Sequence, residues 1–328
     1  MDFNALFEQF KGLQIVVVGD VMMDAYLIGK VTRISPEAPV PIVNLSQEDD
    51  RLGGAANVAM NLLAMGANPI MCSVIGQDRD GKKMLSLFDE AGISTEGLVR
   101  SEDRITTVKT RVLGNNQQLV RIDSEQTDAI QPQEEDALIE AFQKLVSKGV
   151  DAVIFEDYNK GVLTPRVIET MIAICKSNGI PTTVDPKKDN FFAYKGVTLF
   201  KPNLKELVEG VGLPINFAKD PSSLDRAVAE LERVLENEIS FITLSEFGVF
   251  IKNGEQSLHF PAHLRNIADV SGAGDTVISV ATLCLAAKLD ISYIAQIANL
   301  AGGLVCEETG VVSIDKSRLL KETAKLVH

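Results

Sequence analysis

The stretch Gln14-Ile15-Val16-Val17-Val18-Gly19-Asp20 is a short run of β-branched apolar residues that ends at a glycine and an aspartate. A run of this length and composition, bounded by turn residues, is typical of a buried strand. Similar runs follow along the chain, and amphipathic helical patterns lie between most of them. Short apolar strands that alternate with helices indicate parallel βαβ units. We therefore predict an α/β fold with a doubly wound, mostly parallel sheet flanked by helices.

The individual elements of this body can be placed from the same periodicities. The predicted strands are 14–18, 69–75, 152–155, 181–185, 197–201 and 240–244. The predicted helices are 54–65, 82–91, 134–147, 165–177, 203–209 and 224–235. From Gly272 to about Glu308 the pattern is mainly helical, so helices are expected to dominate the last part of the fold.

Two stretches depart from this alternation. Residues 26–46 carry short apolar runs among three prolines, which exclude a helix and suit edge strands. Residues 106–123 have the alternating pattern of a hairpin, with a turn at Gly114-Asn115-Asn116. We predict that strands inserted at about 25–46 and 97–124 form a small β-sheet that acts as a lid over a cleft. A third hairpin, over 248–261, is expected within the main body.

Composition narrows the class of partner. The chain has 328 residues and a formal charge of −13, and it contains no Lys/Arg block of the kind that nucleic-acid binders use. Its apolar runs are too short to span a bilayer, and its acidic N-terminus does not resemble a secretory signal. The four cysteines lie far apart, as reduced core thiols do. We therefore predict a cytoplasmic protein with no nucleic-acid or membrane partner.

The strongest local feature is Asp269-Val270-Ser271-Gly272-Ala273-Gly274-Asp275, followed by an apolar helical run. Glycines at a helix start leave backbone N–H groups unobstructed, and with the helix dipole these form an anion site. Asp275 would then lie in the first turn, beside the anion, where a carboxylate suits a base that deprotonates an attacking hydroxyl. From these residues alone, an ordinary helix capped by Ser271 is an equally good interpretation.

A second glycine motif is Gly53-Gly54-Ala55-Ala56-Asn57-Val58-Ala59. The paired glycines would let a ligand approach the backbone, and Asn57 could bind a hydroxyl. Taken alone, the motif fits close helix–sheet packing better. Asp20 and Asp24 follow the first strand, where ligands bind in open α/β sheets, although a simple strand-end turn is the alternative.

Asn203 and Glu206 lie three positions apart at a predicted helix start. Their side chains would face one side and could hold the water molecules around a magnesium ion. A capping box, in which each side chain bonds the other residue's backbone, explains the same spacing.

Together the two glycine motifs resemble those of the ribokinase-like (PfkB) carbohydrate kinases, with Val270 where that family usually has Ser or Thr. Both occur, in the family's order and about 200 residues apart, so the resemblance covers essentially the whole chain. Further runs are similar to the kinase half of the bacterial ADP-heptose synthesis enzyme. They are Val17–Asp24, Arg33–Pro41, Leu119–Asp123, Asp157–Gly161, Val184–Lys187 and Pro202–Glu206.

The resemblance implies one ribokinase-like kinase domain over 1–328, without a nucleotidyltransferase domain. It implies ATP-dependent phosphorylation of the anomeric hydroxyl of D-glycero-β-D-manno-heptose 7-phosphate, with Mg²⁺ as cofactor. The resemblance also makes a monovalent cation possible, because several relatives are activated by one. The acidic pair in Val305–Gly310 departs from the ribokinase pattern, so cation activation of this chain stays open. A homodimer in which lids pair is expected.

The resemblance also assigns roles to individual residues. Asp275 is the expected base, and the N–H groups of Gly272, Ala273 and Gly274 stabilise the moving phosphoryl group. Asn203 and Glu206, in the run Asn203-Leu204-Lys205-Glu206, serve ATP and magnesium. Ser245, Glu246 and Gly248 belong to the nucleotide loop, and Asn299 lines the adenine pocket. The expected sugar ligands are Asp20, Asp24, Gly53, Gly54 and Asn57, and the candidates for the substrate phosphate are Arg33, Arg121, Lys160 and Lys187.

Two other functions remain open at this point. The first is a ribokinase or fructokinase that acts on an unphosphorylated sugar, against which the run Arg33–Pro41 argues. The second is a non-catalytic regulator that binds sugar or nucleotide on a kinase fold. An intact Asp275 argues against the second, because a binding protein has no need of a base.

Overall fold

The structure, a computed structural model, describes residues 2–115, 117–263 and 265–327. Its strands are β1 Gln14–Gly19, β2 Val21–Ile34, β3 Pro41–Gly54, β4 Asn68–Gly76, β5 Ser94–Ser101, β6 Val108–Gly114, β7 Gln117–Ser124, β8 Ala152–Glu156, β9 Thr182–Asp185, β10 Leu199–Phe200, β11 Ile239–Thr243, β12 Val249–Asn253 and β13 Gln256–Phe260. Its helices are α1 Phe3–Gln9, α2 Ala55–Met65, α3 Arg79–Ala91, α4 Pro132–Lys148, α5 Pro165–Ser177, α6 Leu204–Val211, α7 Ser222–Leu235, α8 Ala273–Ala286, α9 Ile291–Val305 and α10 Lys316–Leu326.

Within the described residues, nine strands form the large sheet, in the order β13-β12-β11-β10-β9-β8-β1-β4-β5. The pairs from β5 across to β11 are parallel, and only β12 and β13 pair antiparallel at one edge. Alternate residues of the central strands face opposite ways: Ile15 and Val17 pack into one apolar core, and Val16 and Val18 into the other. Burial on both faces explains why these strands read as continuous apolar runs.

Helices cover both faces of this sheet. One core is closed by α1, α2, α3, α8, α9 and α10, and the other by α4, α5, α6 and α7. The predicted α/β class and the alternation of strands and helices are therefore confirmed, with element ends that differ by a few residues. The third hairpin also lies where it was expected, as β12 and β13 at the edge of the large sheet.

A separate sheet, the small sheet, contains β3, β2, β6 and β7 in that spatial order. Its first two strands are longer than predicted, because β2 and β3 continue down to Val21 and Gly54 and so reach the main body. The predicted lid segment 97–124 was wrong at its start: residues 97–101 lie in β5 and pair with β4 in the large sheet. Asn116, in the predicted turn, lies outside the described residues.

The carboxyl ends of the parallel strands bring several polar residues to one edge. Gly19 and Glu156 end neighbouring strands, and Asp185 ends the next. Two helices begin at the same edge after glycines in the left-handed region, Gly54 with φ +58° before α2 and Gly272 with φ +77° before α8. Ligands of open α/β sheets bind outside this edge, so the candidate site is sought here.

Candidate active site

Asp275 lies in the first turn of α8 and is only 7% exposed. The Tyr158 hydroxyl donates to its Oδ1 at 2.8 Å, and the Asn57 amide donates to its Oδ2 at 2.6 Å. Burial raises the pKa of Asp275 to about 6, although these two hydrogen bonds act to lower it. A carboxylate whose pKa lies just below neutrality is ionised at pH 7 and still binds a proton readily. Asp275 therefore has the properties of a general base.

The residues before Asp275 form the start of α8. Gly272 is the N-cap residue, and no side chain caps the helix there. The alternative prediction of a helix capped by Ser271 is therefore wrong. A Cβ at Gly272 would lie 3.1 Å from both the Asn57 amide nitrogen and a Val311 methyl group. The first backbone N–H groups of a helix have no partner within the helix. At this helix start, the Ala273 N–H donates to the carbonyl of Val270, which precedes the helix, at 3.3 Å.

Three buried carboxyl groups lie together beneath this helix start. One oxygen each of Glu156, Asp185 and Asp275 lies within 4.8 Å of the others, close enough to face a shared cation. Lys201 already places an ammonium 2.8 Å from Asp185. Both oxygens of Glu156 lack a hydrogen-bond partner among the described residues. Burial, followed by the charges of Asp185 and Asp275, raises the pKa of Glu156 well above its ordinary value.

A cavity of about 340 Å³, the α2 cavity, opens between the small sheet and helices α2 and α3. Asp24 and Asn57, two of the predicted sugar ligands, line it. Gly53 packs directly against the Asp24 carboxylate, where a Cβ would overlap it. Gly54 takes a conformation that suits glycine and leads the chain into α2. Asp24 and Asn57 therefore border one cavity, and Asn57 also bonds the base.

Asp20, the fifth predicted sugar ligand, has a different environment. It is 1% exposed, and its Oδ2 accepts the backbone N–H groups of Tyr158 and Lys160 at 2.9 and 3.0 Å. Its Oδ1 accepts the N–H of Val162 at 3.0 Å. These bonds occupy the carboxylate with the loop after β8. The assignment of Asp20 to sugar hydroxyls is therefore corrected to a loop-holding role.

The four basic candidates for the substrate phosphate are not brought together. Arg33 is exposed near the far end of β2, and Arg121 pairs with Asp123 on the outer strand β7. Lys160 pairs with Glu125 and Lys187 with Glu206, both at 2.8 Å. Within the part of the chain that the structure describes, none of the four lines the α2 cavity.

Another arginine of the small sheet, Arg51, lines that cavity, and Arg111 lies beside Asp24 and Tyr26, which also line it. Arg51 and Arg111 lie over the ring of Tyr26, with guanidinium carbons 5.0 and 5.3 Å from its centroid. Arg111 also donates to Asp24 at 2.5 Å.

Neither Arg51 nor Arg111 was among the residues predicted from the sequence. Two-residue periodicity gave a signal, since Tyr26 lies two positions after Asp24 and Arg51 two before Gly53, which puts each pair on one face of its strand.

A larger cavity of about 570 Å³, the α9 cavity, lies on the other side of the helix start. The residues predicted for the nucleotide loop and the adenine pocket line it: Ser245, Glu246, Gly248 and Asn299. Ala273 and Gly274 line it as well, so this cavity reaches the start of α8. The α2 cavity reaches Asn57, whose amide bonds the base.

Asn203 and Glu206 form the capping box that was the alternative interpretation of their spacing. Glu206 Oε2 accepts the Asn203 N–H at 2.9 Å, and its Oε1 accepts the Lys187 ammonium at 2.8 Å. Leu204 and Lys205 form the first turn of α6 behind this box. A capping box leaves carboxylate lone pairs that can still accept from metal-bound water, so both interpretations remain compatible here.

The acidic pair in the stretch 305–310 is matched by arginines. Arg265 lies 3.1 Å from Glu307, and Arg318 lies 3.5 Å from Glu308. The backbone carbonyl of Cys306 accepts hydrogen bonds from the backbone N–H groups of both Ala268 and Asp269. These contacts tie the end of α9 to the loop before α8. Both acidic residues therefore have basic partners.

Comparison with known proteins identifies the family. Residues 13–317 match the pfkB family of carbohydrate kinases. The bifunctional protein HldE of Desulfatibacillum aliphaticivorans is 41% identical over 94% of this chain, and that of Geotalea uraniireducens is 38% identical over 98%. The chain spans 63% and 65% of the lengths of these two relatives.

Solved structures share the fold. Escherichia coli phosphofructokinase-2 in complex with potassium has a TM-score of 0.79 at 18% identity, covering 97% of this chain and 100% of its own. Arabidopsis thaliana ribokinase complexed with ribose and ATP has a TM-score of 0.70 at 15% identity, covering 94% and 99%. Among the described helices, none has the length and apolar character that a membrane span requires. Because residues 13–317 match that family, the chain belongs to the pfkB family of carbohydrate kinases.

Proposed function

We propose that this sugar kinase transfers the γ-phosphoryl group of ATP to the anomeric hydroxyl of D-glycero-β-D-manno-heptose 7-phosphate. The product would be the 1,7-bisphosphate, a precursor of ADP-heptose and of the lipopolysaccharide inner core. The observation that carries the proposal is Asp275, a buried carboxylate with a pKa of about 6. It bonds Asn57, which lines the α2 cavity, and it follows Gly274, which lines the α9 cavity. The similarity to HldE proteins and the run Arg33–Pro41 support the choice of sugar.

In the proposed reaction, Asp275 accepts the proton of the anomeric hydroxyl as that oxygen attacks the γ-phosphorus of ATP. The new O–P bond forms while the bond from phosphorus to the β–γ bridging oxygen breaks, and ADP leaves with that electron pair. The N–H groups of Gly272, Ala273 and Gly274 offset charge on the moving phosphoryl group. The α9 cavity reaches this helix start, and the α2 cavity reaches Asn57, which bonds the base, so donor and acceptor would meet beside Asp275.

Magnesium, when bound with ATP, supplies charge that neutralises the phosphate oxygens. Asn203 and Glu206 would hold it through water, and their oxygen atoms are ligands that magnesium prefers. Glu206 lies beside Lys187, whose pKa is raised by the carboxylates of Asp185 and Glu206 although burial opposes this. The lysine therefore stays charged and adds to the attraction for phosphate at this edge.

The substrate phosphate is assigned to Arg51 and Arg111 rather than to the four cations chosen from the sequence. Arg51 lines the α2 cavity, and Arg111 lies next to Tyr26 and Asp24, which line it too. Guanidinium groups bind phosphate oxygens in pairs. Asp24 and Asn57, which line the same cavity, would bind sugar hydroxyls.

We also propose a homodimer. Val120 and Ile122 on the outer strand β7 are 49% and 56% exposed, and Leu45 on the opposite outer strand is 50% exposed. Exposed apolar edge strands tend to pair with another chain. A second copy seated against the small sheets would cover these residues.

The test is ADP release from ATP and Mg²⁺ with a panel of acceptors: D-glycero-β-D-manno-heptose 7-phosphate, fructose 6-phosphate, ribose and fructose. The heptose phosphate is expected to give the highest kcat/KM. Preference for ribose or fructose would favour a kinase of unphosphorylated sugars, and no turnover with any acceptor would favour a binding protein. Asp275→Asn should fold normally and lose about 10²–10⁴-fold in kcat; near-normal turnover would exclude Asp275 as the base.

A further inference from the structure

We propose that Tyr158 is a positioning residue for the catalytic base, and that Asp20 acts through it by fixing the loop that carries it. The proposal rests on the role given to Asp275 under the proposed function. The proposed reaction gives no role to two features of the site. One is a phenol hydroxyl that donates to the base, and the other is a buried aspartate whose described hydrogen bonds come from backbone N–H groups.

The two oxygens of the base are held from different parts of the fold. Tyr158, in the loop after β8, donates to Oδ1 at 2.8 Å, and Asn57, in α2, donates to Oδ2 at 2.6 Å. An ionised carboxylate has about four lone-pair sites, so two remain for a substrate hydroxyl. A carboxylate bonded at both oxygens cannot rotate without breaking a hydrogen bond, and its free lone pairs therefore keep one direction.

Tyr158 can act only as a donor near neutral pH. Burial, with the negative charges of Asp275, Glu156 and Asp185, raises the pKa of its phenol well above the ordinary value. The Lys187 ammonium lies 5.6 Å from its ring centroid, and Lys201 is bonded to Asp185. The phenol therefore stays protonated and orients the base without taking part in proton transfer.

The loop that carries Tyr158 is fixed by Asp20. Every second residue of this loop, namely Tyr158, Lys160 and Val162, donates its backbone N–H group to the Asp20 carboxylate, at 2.9 to 3.0 Å. Burying a carboxylate is costly unless hydrogen bonds replace its water, and hydrogen bonds from N–H groups to a carboxylate are among the strong ones. Because Asp20 follows β1 and the loop follows neighbouring β8, this contact locks the loop to the sheet edge.

The expected consequence is a loss in the chemical step with little loss in binding. Reactions between held groups depend on alignment, and a small misplacement of a reacting group costs much of the rate. Hydrogen bonds to charged groups contribute enough that removing one gives a loss of about 10- to 100-fold. Tyr158→Phe should therefore lower kcat by about that factor, while KM for ATP and for the sugar phosphate changes by about twofold or less.

The structure offers a matched control. Tyr194 is also buried and also donates its hydroxyl to a carboxylate at 2.8 Å, but that carboxylate belongs to Asp157. Tyr194→Phe removes the same chemical group from the same part of the fold without touching the base, so kcat should stay within about threefold of the unmodified chain. Equal losses in both variants, or an unchanged kcat in Tyr158→Phe, would overturn the positioning role.

The part of Asp20 is tested with a double-mutant cycle. If Asp20 acts through Tyr158, then Asp20→Asn combined with Tyr158→Phe should lose no more kcat than the worse single variant, whereas independent effects would multiply. Multiplying effects would overturn the link. If Asp20→Asn does not fold, amide hydrogen exchange of residues 158–162 in the unmodified chain provides the second measurement, and fast exchange there would contradict a locked loop.

Failure of this inference differs from failure of the proposed function. Near-normal turnover in Asp275→Asn would remove the base itself, whereas a dead Asp275→Asn with an unaffected Tyr158→Phe would remove only the positioning role. A crystal structure of Tyr158→Phe adds a readout that needs no acceptor. The Asp275 carboxylate should turn away from its position between residues 57 and 158, and an unmoved carboxylate would refute the proposal.

Discussion

The pH dependence of turnover gives the most direct test of the buried base. Asp275 must be ionised to accept a proton, and burial raises its pKa from 3.8 to about 6. The active form is therefore present above pH 6 and is lost as the pH falls through 6. With a pKa of about 6, about a tenth of the enzyme remains in the base form at pH 5. A carboxyl group with the ordinary value of 3.8 would still be about nine-tenths ionised there.

The expected result is a kcat that falls about tenfold between pH 7.5 and pH 5, at saturating ATP and sugar phosphate. ADP is best quantified directly by chromatography, since coupling enzymes have their own pH dependence. Return of each sample to pH 7.5 should restore full activity, which separates titration from unfolding. A kcat that stays flat down to pH 5 would refute the claim that a buried carboxyl with a raised pKa is the base.

Two neighbouring groups could imitate this profile: Glu156, whose pKa burial also raises, and Asp157. Burial also raises the pKa of Asp157 to about 6, but its carboxylate bonds Tyr194 and the Asn159 N–H rather than the base. Asp157→Asn should therefore keep the same acid limb in kcat. If the limb disappears in Asp157→Asn, the titrating group is Asp157 and the assignment to Asp275 is wrong.

Three further predictions concern the glycine turn, the phosphate site and the dimer. Gly54→Ala should lower the free energy of unfolding by about 2 kcal/mol or more, because its φ is +58° and a Cβ would lie 2.5 Å from a backbone oxygen. Gly254→Ala, with φ +55° and no described atom within 4 Å of a Cβ, should cost only about 1 kcal/mol in urea unfolding. Arg51→Ala should raise KM for the heptose phosphate at least tenfold, about what losing a charged hydrogen bond costs, because Arg51 lines the α2 cavity and does not bond Asp24. It should leave weak use of an unphosphorylated sugar nearly unchanged; a larger effect of Arg121→Ala would restore the sequence-based assignment. Ile122→Asp should convert a dimer to a monomer in sedimentation, and an unchanged mass would place any interface elsewhere.

Much of this fold could be predicted from local patterns in the sequence. Strands with both faces buried appear as continuous apolar runs, and helices with one buried face appear with a period near 3.6, so the alternation could be read without contacts. The ends of β2 and β3 could not, because their polar residues near Asp49 and Arg51 pair across the small sheet and face a cavity. Segment 97–101 was misplaced for a related reason: a strand at the edge of the large sheet carries little apolar signal.

The sequence alone determined the α/β body, the two glycine motifs and Asp275 as the candidate base, because each depends on residues that are neighbours in the chain. Only the tertiary structure decided which side chains meet. Tyr158 and Asn57 reach Asp275 from 117 and 218 positions away. Asp20 and Asp24 look alike in the sequence, yet one is occupied by backbone N–H groups and the other opens to a cavity. Such differences arise from how separate strands and helices pack, which no local pattern encodes.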